Sequence, residues 1–178
     1  TTRGFGEDEF REIGELIVEV VDGLAANGPI AYASDGDIWL VSADGQTHTQ
    51  LTSGPALDKS PAWALNGTRL AYASLVDGSY QLIIMDADGS TQTRLTDDPA
   101  ADGGPAFNPA GTQIAFESDR NGSFDIFLMN ADGSGLKTLL TPGQEIESFG
   151  SYSVSADGQS IAFEGVYGAK KLPNDSIS

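Results

Sequence analysis

The sequence predicts an all-β chain built from repeated four-stranded antiparallel sheets. Three observations carry that expectation. A block of 44 residues recurs: Pro61-Ala62-Trp63 returns as Pro105-Ala106-Phe107, and Leu70-Ala71-Tyr72-Ala73-Ser74 as Ile114-Ala115-Phe116-Glu117-Ser118. The turns keep the same step, in Ala43-Asp44-Gly45, Ala87-Asp88-Gly89 and Ala131-Asp132-Gly133. Between the turns lie short apolar runs of strand length. A fixed period of this size, made of short strands and Asp-Gly or Asn-Gly turns, signals one four-stranded blade per repeat of a β-propeller.

The elements follow in order. Residues 1–27 do not match the repeat and read as an N-terminal arm. Within it, residues 13–21 are rich in β-branched side chains. Leu16, Val18 and Val20 fall on one face, and Glu15 and Glu19 on the other. Period two with β-branching favours a strand. That strand either opens the first blade or adds to the open edge of a neighbouring subunit.

Strands at 29–34, 37–43 and 47–52 complete the first blade. The second spans about 55–96. Residues 61–65 run to the Asn66-Gly67 turn, 69–74 form the next strand, and Asp77-Gly78 turns the chain. Residues 81–86 carry the apolar run Leu82-Ile83-Ile84-Met85, long enough for a central strand, and 91–96 lie beyond Asp88-Gly89. Asp-Gly and Asn-Gly supply the positive φ that tight hairpins need. The third blade spans about 100–141. A fourth begins with strands at 151–155 and 160–164, and residues 166–178 form a polar tail.

The count is about three and a half blades, whereas closed propellers have roughly four to eight. One such sheet cannot bury both faces alone. Three arrangements therefore remain open: a fragment of a longer propeller, two chains closing one ring, or strands lent to neighbours in a filament. Head-to-tail contacts that do not close give filaments by geometry alone.

At residues 28–165 the chain resembles the TolB-type propeller repeat, a relative of the tryptophan-aspartate repeat. The matching features are the Pro-Ala-Trp/Phe steps, Asn-Pro-Ala-Gly-Thr-Gln-Ile-Ala-Phe at 108–116, Ser-Asp-Arg-Asn-Gly-Ser-Phe-Asp-Ile-Phe at 118–127 and Met-Asn-Ala-Asp-Gly-Ser at 129–134. The resemblance implies a propeller in an exported protein, extracellular or periplasmic, used for binding or assembly. It brings no shared catalytic residues.

Composition narrows the function classes. The net charge is −17 with nine basic residues, which repels nucleic-acid phosphates. No apolar run approaches the roughly 18 residues of a membrane span. With no cysteine and one histidine, no zinc pattern is available. No Gly-x-Ser-x-Gly elbow occurs, and Ser-His-Asp chemistry would rest wholly on His48, which reads as a solvated residue on an outer strand. No catalytic residue is therefore assigned, and no cofactor beyond a calcium option is expected.

That option is Asp119-x-Asn121-Gly122-x-x-Asp125, whose alternating oxygens around a glycine turn suit a hard cation. The plainer reading is a hairpin turn held by Asp and Asn bonds to backbone. Three glycosylation sequons occur at Asn66, Asn121 and Asn174, the first two in exposed turns. Trp63, Tyr72, Phe107, Phe116, Phe127 and Phe163 occupy core registers and read as packing between blades. Trp39 follows Ile38 and faces the opposite side.

The expectation is a non-enzymatic, extracytoplasmic structural or binding protein that self-associates through open blade edges, for instance as a filament subunit. Its partner is a second copy or an envelope protein. The alternative is the propeller portion of a larger TolB-like envelope protein or of a propeller-containing hydrolase.

Overall fold

A computed structural model describes residues 28–140, 146–154 and 160–167. Among them are thirteen strands and no helix. The expected arm at 1–27, with its strand at 13–21, and the tail from 168 onward lie outside the described residues. The chain divides into two compact units, Thr1–Lys59 and Ser60–Ser178.

In the first unit, β1 (Ile30–Ser34), β2 (Asp37–Val41) and β3 (His48–Gln50) form a three-stranded antiparallel sheet in that order. The β1–β2 turn holds Asp35 and Gly36, both at positive φ. Ile38 is fully buried, and the Thr52 hydroxyl accepts its amide proton at 2.8 Å.

The second unit carries two four-stranded sheets and a pair. The second sheet orders β4 (Asp58–Trp63), β5 (Arg69–Val76), β6 (Ser79–Asp86) and β7 (Thr93–Arg94). The third orders β8 (Asp102–Phe107), β9 (Gln113–Ser118), β10 (Asp125–Asn130) and β11 (Lys137–Leu140). In the fourth, β12 (Ile146–Val154) pairs with β13 (Ile161–Tyr167). All ladders that define these sheets are antiparallel between chain neighbours, as an up-and-down blade requires.

Two boundaries differ from the sequence expectation. β4 starts at Asp58 and stops at Trp63, three residues earlier at its start than the apolar run. It is the edge of its sheet, where Pro61 has no ladder bond to donate. Pro105 holds the same place in β8, beside a register shift between Gly103 and Ala106. β7 is only two residues long, because Thr91 sits at φ 54 and breaks the strand's start. The run is then capped: the Leu95 amide donates to Leu82, and the Thr96 hydroxyl accepts from the Leu82 amide.

Period-two alternation sorts the faces. Ala71, Ala73, Leu82 and Ile84 leave one face of the second sheet. They pack on Ile114, Phe116, Phe127 and Met129 of the third in one buried cluster. Small alanines on β5 leave room for the large rings on β9 and β10. Phe116 is fully buried, its ring stacked 5.8 Å from Phe127. Burial of one such side chain stabilises by about 1.5–3 kcal/mol. The opposite face of the third sheet, with Ala115, Ile126 and Leu128, packs on Tyr152, Val154 and Ile161 of the fourth.

The expected register therefore holds for Phe116, Phe127, Tyr72 and Phe107, with Phe107 packed at the margin of the first cluster. Phe163 departs from it. It occupies the place of Phe116 in Ile-Ala-Phe-Glu, yet 37% of it is exposed, where Phe116 shows 0%. In the third sheet Phe127 on β10 lies directly opposite Phe116. Among the described residues, β13 has β12 as its only ladder partner.

Candidate functional site

Two features stand out in the second unit: a buried polar row at one end of the sheets, and an open apolar groove beside the fourth.

The polar row arises from the repeat. Ser74 and Ser118, and Gln81 and Asp125, are each 44 residues apart, as Asp102 is from Asp58 of the first unit, and all six are buried. In the third sheet Ser118 opposes both Asp102 and Asp125, so the three share one face. A buried carboxylate needs a partner. Asp102, 1% exposed, receives Arg120 Nη2 on both oxygens, at 3.0 and 3.1 Å. The same nitrogen reaches Asp98 at 3.2 Å, and Arg120 Nε donates to the Ser118 hydroxyl at 2.8 Å. The guanidinium lies 5.4 and 4.8 Å from the Phe116 and Phe127 ring centres. Arg120 thus seals the end of the aromatic cluster by stacking and by charge.

One repeat earlier, Gln81 does this task without charge. Its amide donates to the carbonyls of Asp98 and Ala100 and to the Ser79 hydroxyl, and its carbonyl accepts from Thr96. Gln81 therefore ties the 97–101 connection between the second and third sheets from one side, and Arg120 ties it from the other.

The Ser118 oxygen accepts from a guanidinium, the reverse of the deprotonating contact a nucleophile needs. His48 is exposed, and its Nδ1 lies 2.7 Å from the Tyr32 hydroxyl with the rings edge to face.

Of the calcium candidates, Asn121 and Asp125 touch each other, and Asp119 bonds to the backbone. Asp119 turns away and accepts the Ala101 amide proton at 2.8 Å. Asn121 presents its amide nitrogen, a donor, to Asp125 Oδ2 at 2.7 Å. Among the described residues no group of three or more His, Cys, Asp or Glu side chains is placed to hold a metal. These side chains instead build the β9–β10 turn, closed by the Gly122 amide on the Asp119 carbonyl.

Of the sequon asparagines, Asn66 and Asn121 are both exposed in turns. Asn66 Oδ1 accepts from the amide and hydroxyl of Thr68. Asn174 lies outside the described residues.

At the opposite end of the sheets, Asp44, Asp88 and Asp132 recur with the repeat. Each accepts a serine hydroxyl (Ser42, Ser90 and Ser134 respectively) and the backbone amide two residues on. The serine bond first, then the amide, holds each carboxyl below its ordinary value of 3.8.

The groove lies between the third and fourth sheets. Leu128, Leu139, Leu140, Val154, Ile161 and Phe163 line a cavity of about 270 Å³. Its floor is the buried cluster of Ala115, Ile126 and Leu128. At its far side the Tyr152 hydroxyl donates to the Gly104 carbonyl. Burial above all, and then the Glu117 carboxylate, pushes the Tyr152 hydroxyl well above the ordinary tyrosine range. Among the described residues no helix is long and apolar enough to cross a membrane.

Sequence reasoning found the sheets that frame the groove but missed Arg120 and the polar row. For the row the signal was available, a polar residue recurring every 44 positions within otherwise apolar strands; for Arg120, whose counterpart is Val76, it was not.

Comparison with known proteins places the fold. Residues 31–171 match the family described as the TolB beta propeller domain. A stretch of 73 residues is 34% identical to the TolB homolog of Chlorobium luteolum, covering 39% of this chain and 17% of that protein. The crystal structure of TolB from Acinetobacter baumannii superposes with a TM-score of 0.64 at 25% identity, over 76% of this chain and 34% of that one. Separately, 28 residues are 82% identical to serine hydroxymethyltransferase of Jannaschia sp., 16% of this chain and 6% of that enzyme. The chain thus spans from 6 to 17% of the length of these curated relatives, and about a third of the TolB structure. With 141 of its 178 residues inside that match, the chain belongs to the TolB β-propeller domain family.

Proposed function

We propose that this chain is a non-enzymatic binding and assembly module that engages its partner through the open edge of the fourth sheet. The observation that carries the reading is Phe163. It repeats the core position of Phe116 but stays 37% exposed, beside an apolar groove of about 270 Å³. Apolar sheet faces and unpaired strand edges are aggregation-prone unless covered. A strand laid along β13, with a large apolar side chain opposite Phe163, reproduces what β10 does for β9. The partner is then a second copy of the chain or an envelope protein that offers such a strand. Head-to-tail repetition of the contact between copies yields a ring or a filament.

Membership in the TolB family supports an exported protein, working outside the cytoplasm. A net charge of −17 argues against nucleic acid as the partner. No hydrolase chemistry is assigned: Ser118 and Asp102 are both engaged by Arg120.

A second reading has a specific observation in its favour. The chain covers only 34% of the Acinetobacter TolB structure, so the same groove would be filled by further blades of a longer TolB-like protein.

Light scattering of the intact chain separates the two. The assembly reading expects a mass above that of one chain, lowered by Phe163→Asp. A monomer at every concentration, with or without that change, rules it out and leaves the longer-protein reading. Turnover of ester, peptide or glycoside substrates, abolished by one carboxylate substitution, would overturn the non-enzymatic part.

A further inference from the structure

We propose that Asn121-Gly122 is a site of spontaneous covalent modification whose conversion releases the buried carboxylate of Asp125. The inference stands on the β9–β10 turn and is independent of the groove.

Three observations combine. Asn121 and Gly122 are both exposed, and Gly122, at φ +91, has nothing within 4 Å of where a Cβ would stand. An asparagine followed by glycine is the pairing least hindered for attack of the following amide nitrogen on the side-chain carbonyl. The Asn121 amide is also the only donor to Asp125 among the described residues, at 2.7 Å on Oδ2. Asp125 is 1% exposed, and its Oδ1 has no hydrogen-bond partner among the described residues.

The chemistry balances with water as the only co-reactant. The Gly122 nitrogen gives up its hydrogen bond to the Asp119 carbonyl, forms a bond to Asn121 Cγ and loses its proton, the Cγ–Nδ2 bond breaks, and ammonia leaves. Water then opens the cyclic imide at either carbonyl, giving aspartate or isoaspartate. Either product replaces a hydrogen-bond donor with a carboxylate beside Asp125. The buried acid then faces a like charge in place of its partner. Isoaspartate also adds a carbon to the backbone just ahead of β10.

Asn66-Gly67 is an internal control. Gly67, at φ +68, is equally uncrowded, but the Asn66 side chain serves its turn as an acceptor for Thr68. An aspartate there keeps that role, so Asn66→Asp leaves the bonds of its turn in place.

The test ages the intact chain in mildly alkaline buffer at body temperature. Peptide mapping by mass spectrometry follows each asparagine, with thermal melting in parallel. The proposal expects conversion at 121 with a melting temperature that falls in step. It expects Asn121→Asp to melt several degrees lower from the start, Asn66→Asp to melt like the parent, and Asn121→Gln to suppress the time-dependent loss. If Asn121 survives in the folded chain while converting in a urea-unfolded sample, the turn protects it and the site is not one. If it converts, or is replaced by aspartate, without change in melting, the link to Asp125 is wrong.

Discussion

Arg120 sets a single nitrogen between the two oxygens of Asp102, at 3.0 and 3.1 Å, while its guanidinium rests 4.8 Å from the centre of the Phe127 ring. One side chain therefore neutralises a buried acid, caps the aromatic cluster and holds Asp98 of the connecting segment.

Removing that side chain leaves Asp102 as an uncompensated buried charge. Arg120→Ala should destabilise the chain by about 3–5 kcal/mol. Arg120→Lys keeps the charge but loses the second donor group and the flat surface over the rings, so its cost should fall between parent and alanine. Urea denaturation of the three proteins checks the order. A lysine variant as weak as the alanine variant would assign the effect to shape alone.

Repeat position predicts cost only when burial agrees. Phe116→Ala should cost about 3–5 kcal/mol, because a fully buried ring leaves a cavity. Phe163→Ala, at the same place in its own repeat, should cost roughly 1–2 kcal/mol in the isolated chain, since much of its surface is already in water. Thr91→Gly should be neutral or slightly favourable, as Thr91 holds a left-handed φ of 54 that a β-branched residue dislikes. Thermal melting of the three variants checks the ranking.

Acid should loosen the repeating turns. Asp44, Asp88 and Asp132 each titrate below 3.8 in the folded chain, so each is ionised more readily folded than unfolded. Depressed carboxyl values add stability that is present above the unfolded value near 3.8. It is lost as pH falls through the folded values beneath it. The urea midpoint should therefore decline below about pH 4. The pair of changes Asp88→Ser and Asp132→Ser should flatten that decline, because serine supports the turn without a titrating group. An unchanged acid slope in the double variant would contradict the assignment.

The period of 44 made the sheets legible, because every repeat must present the same faces to its neighbours. Ala71 against Phe116, and the Asp88-Gly89 and Asp132-Gly133 turns, follow from that register alone. Burial at the fourth sheet was not legible: the motif around Phe163 is a core motif, and exposure there depends on which strands lie beside β13. Arg120 escaped for another reason. Its counterpart one repeat earlier is Val76, so no periodic signal marks it, and only the buried place of Asp102 calls for a cation. The calcium reading at Asp119, Asn121 and Asp125 rested on spacing alone; the structure bonds Asn121 to Asp125 and Asp119 to the Ala101 amide. Residues 1–27, read as carrying a strand that opens the first blade or adds to a neighbour, lie outside the described residues.

Hydrogen exchange of β13 (Ile161–Tyr167) across a dilution series tests the central claim most directly. If the open edge of the fourth sheet is the contact surface, its amides gain protection as concentration rises, while β9 and β10, already paired on both sides, exchange at constant rates. Phe163→Asp should remove the concentration dependence. Exchange of β13 that is the same at every concentration, in a chain that nonetheless associates, would place the contact elsewhere and contradict the account.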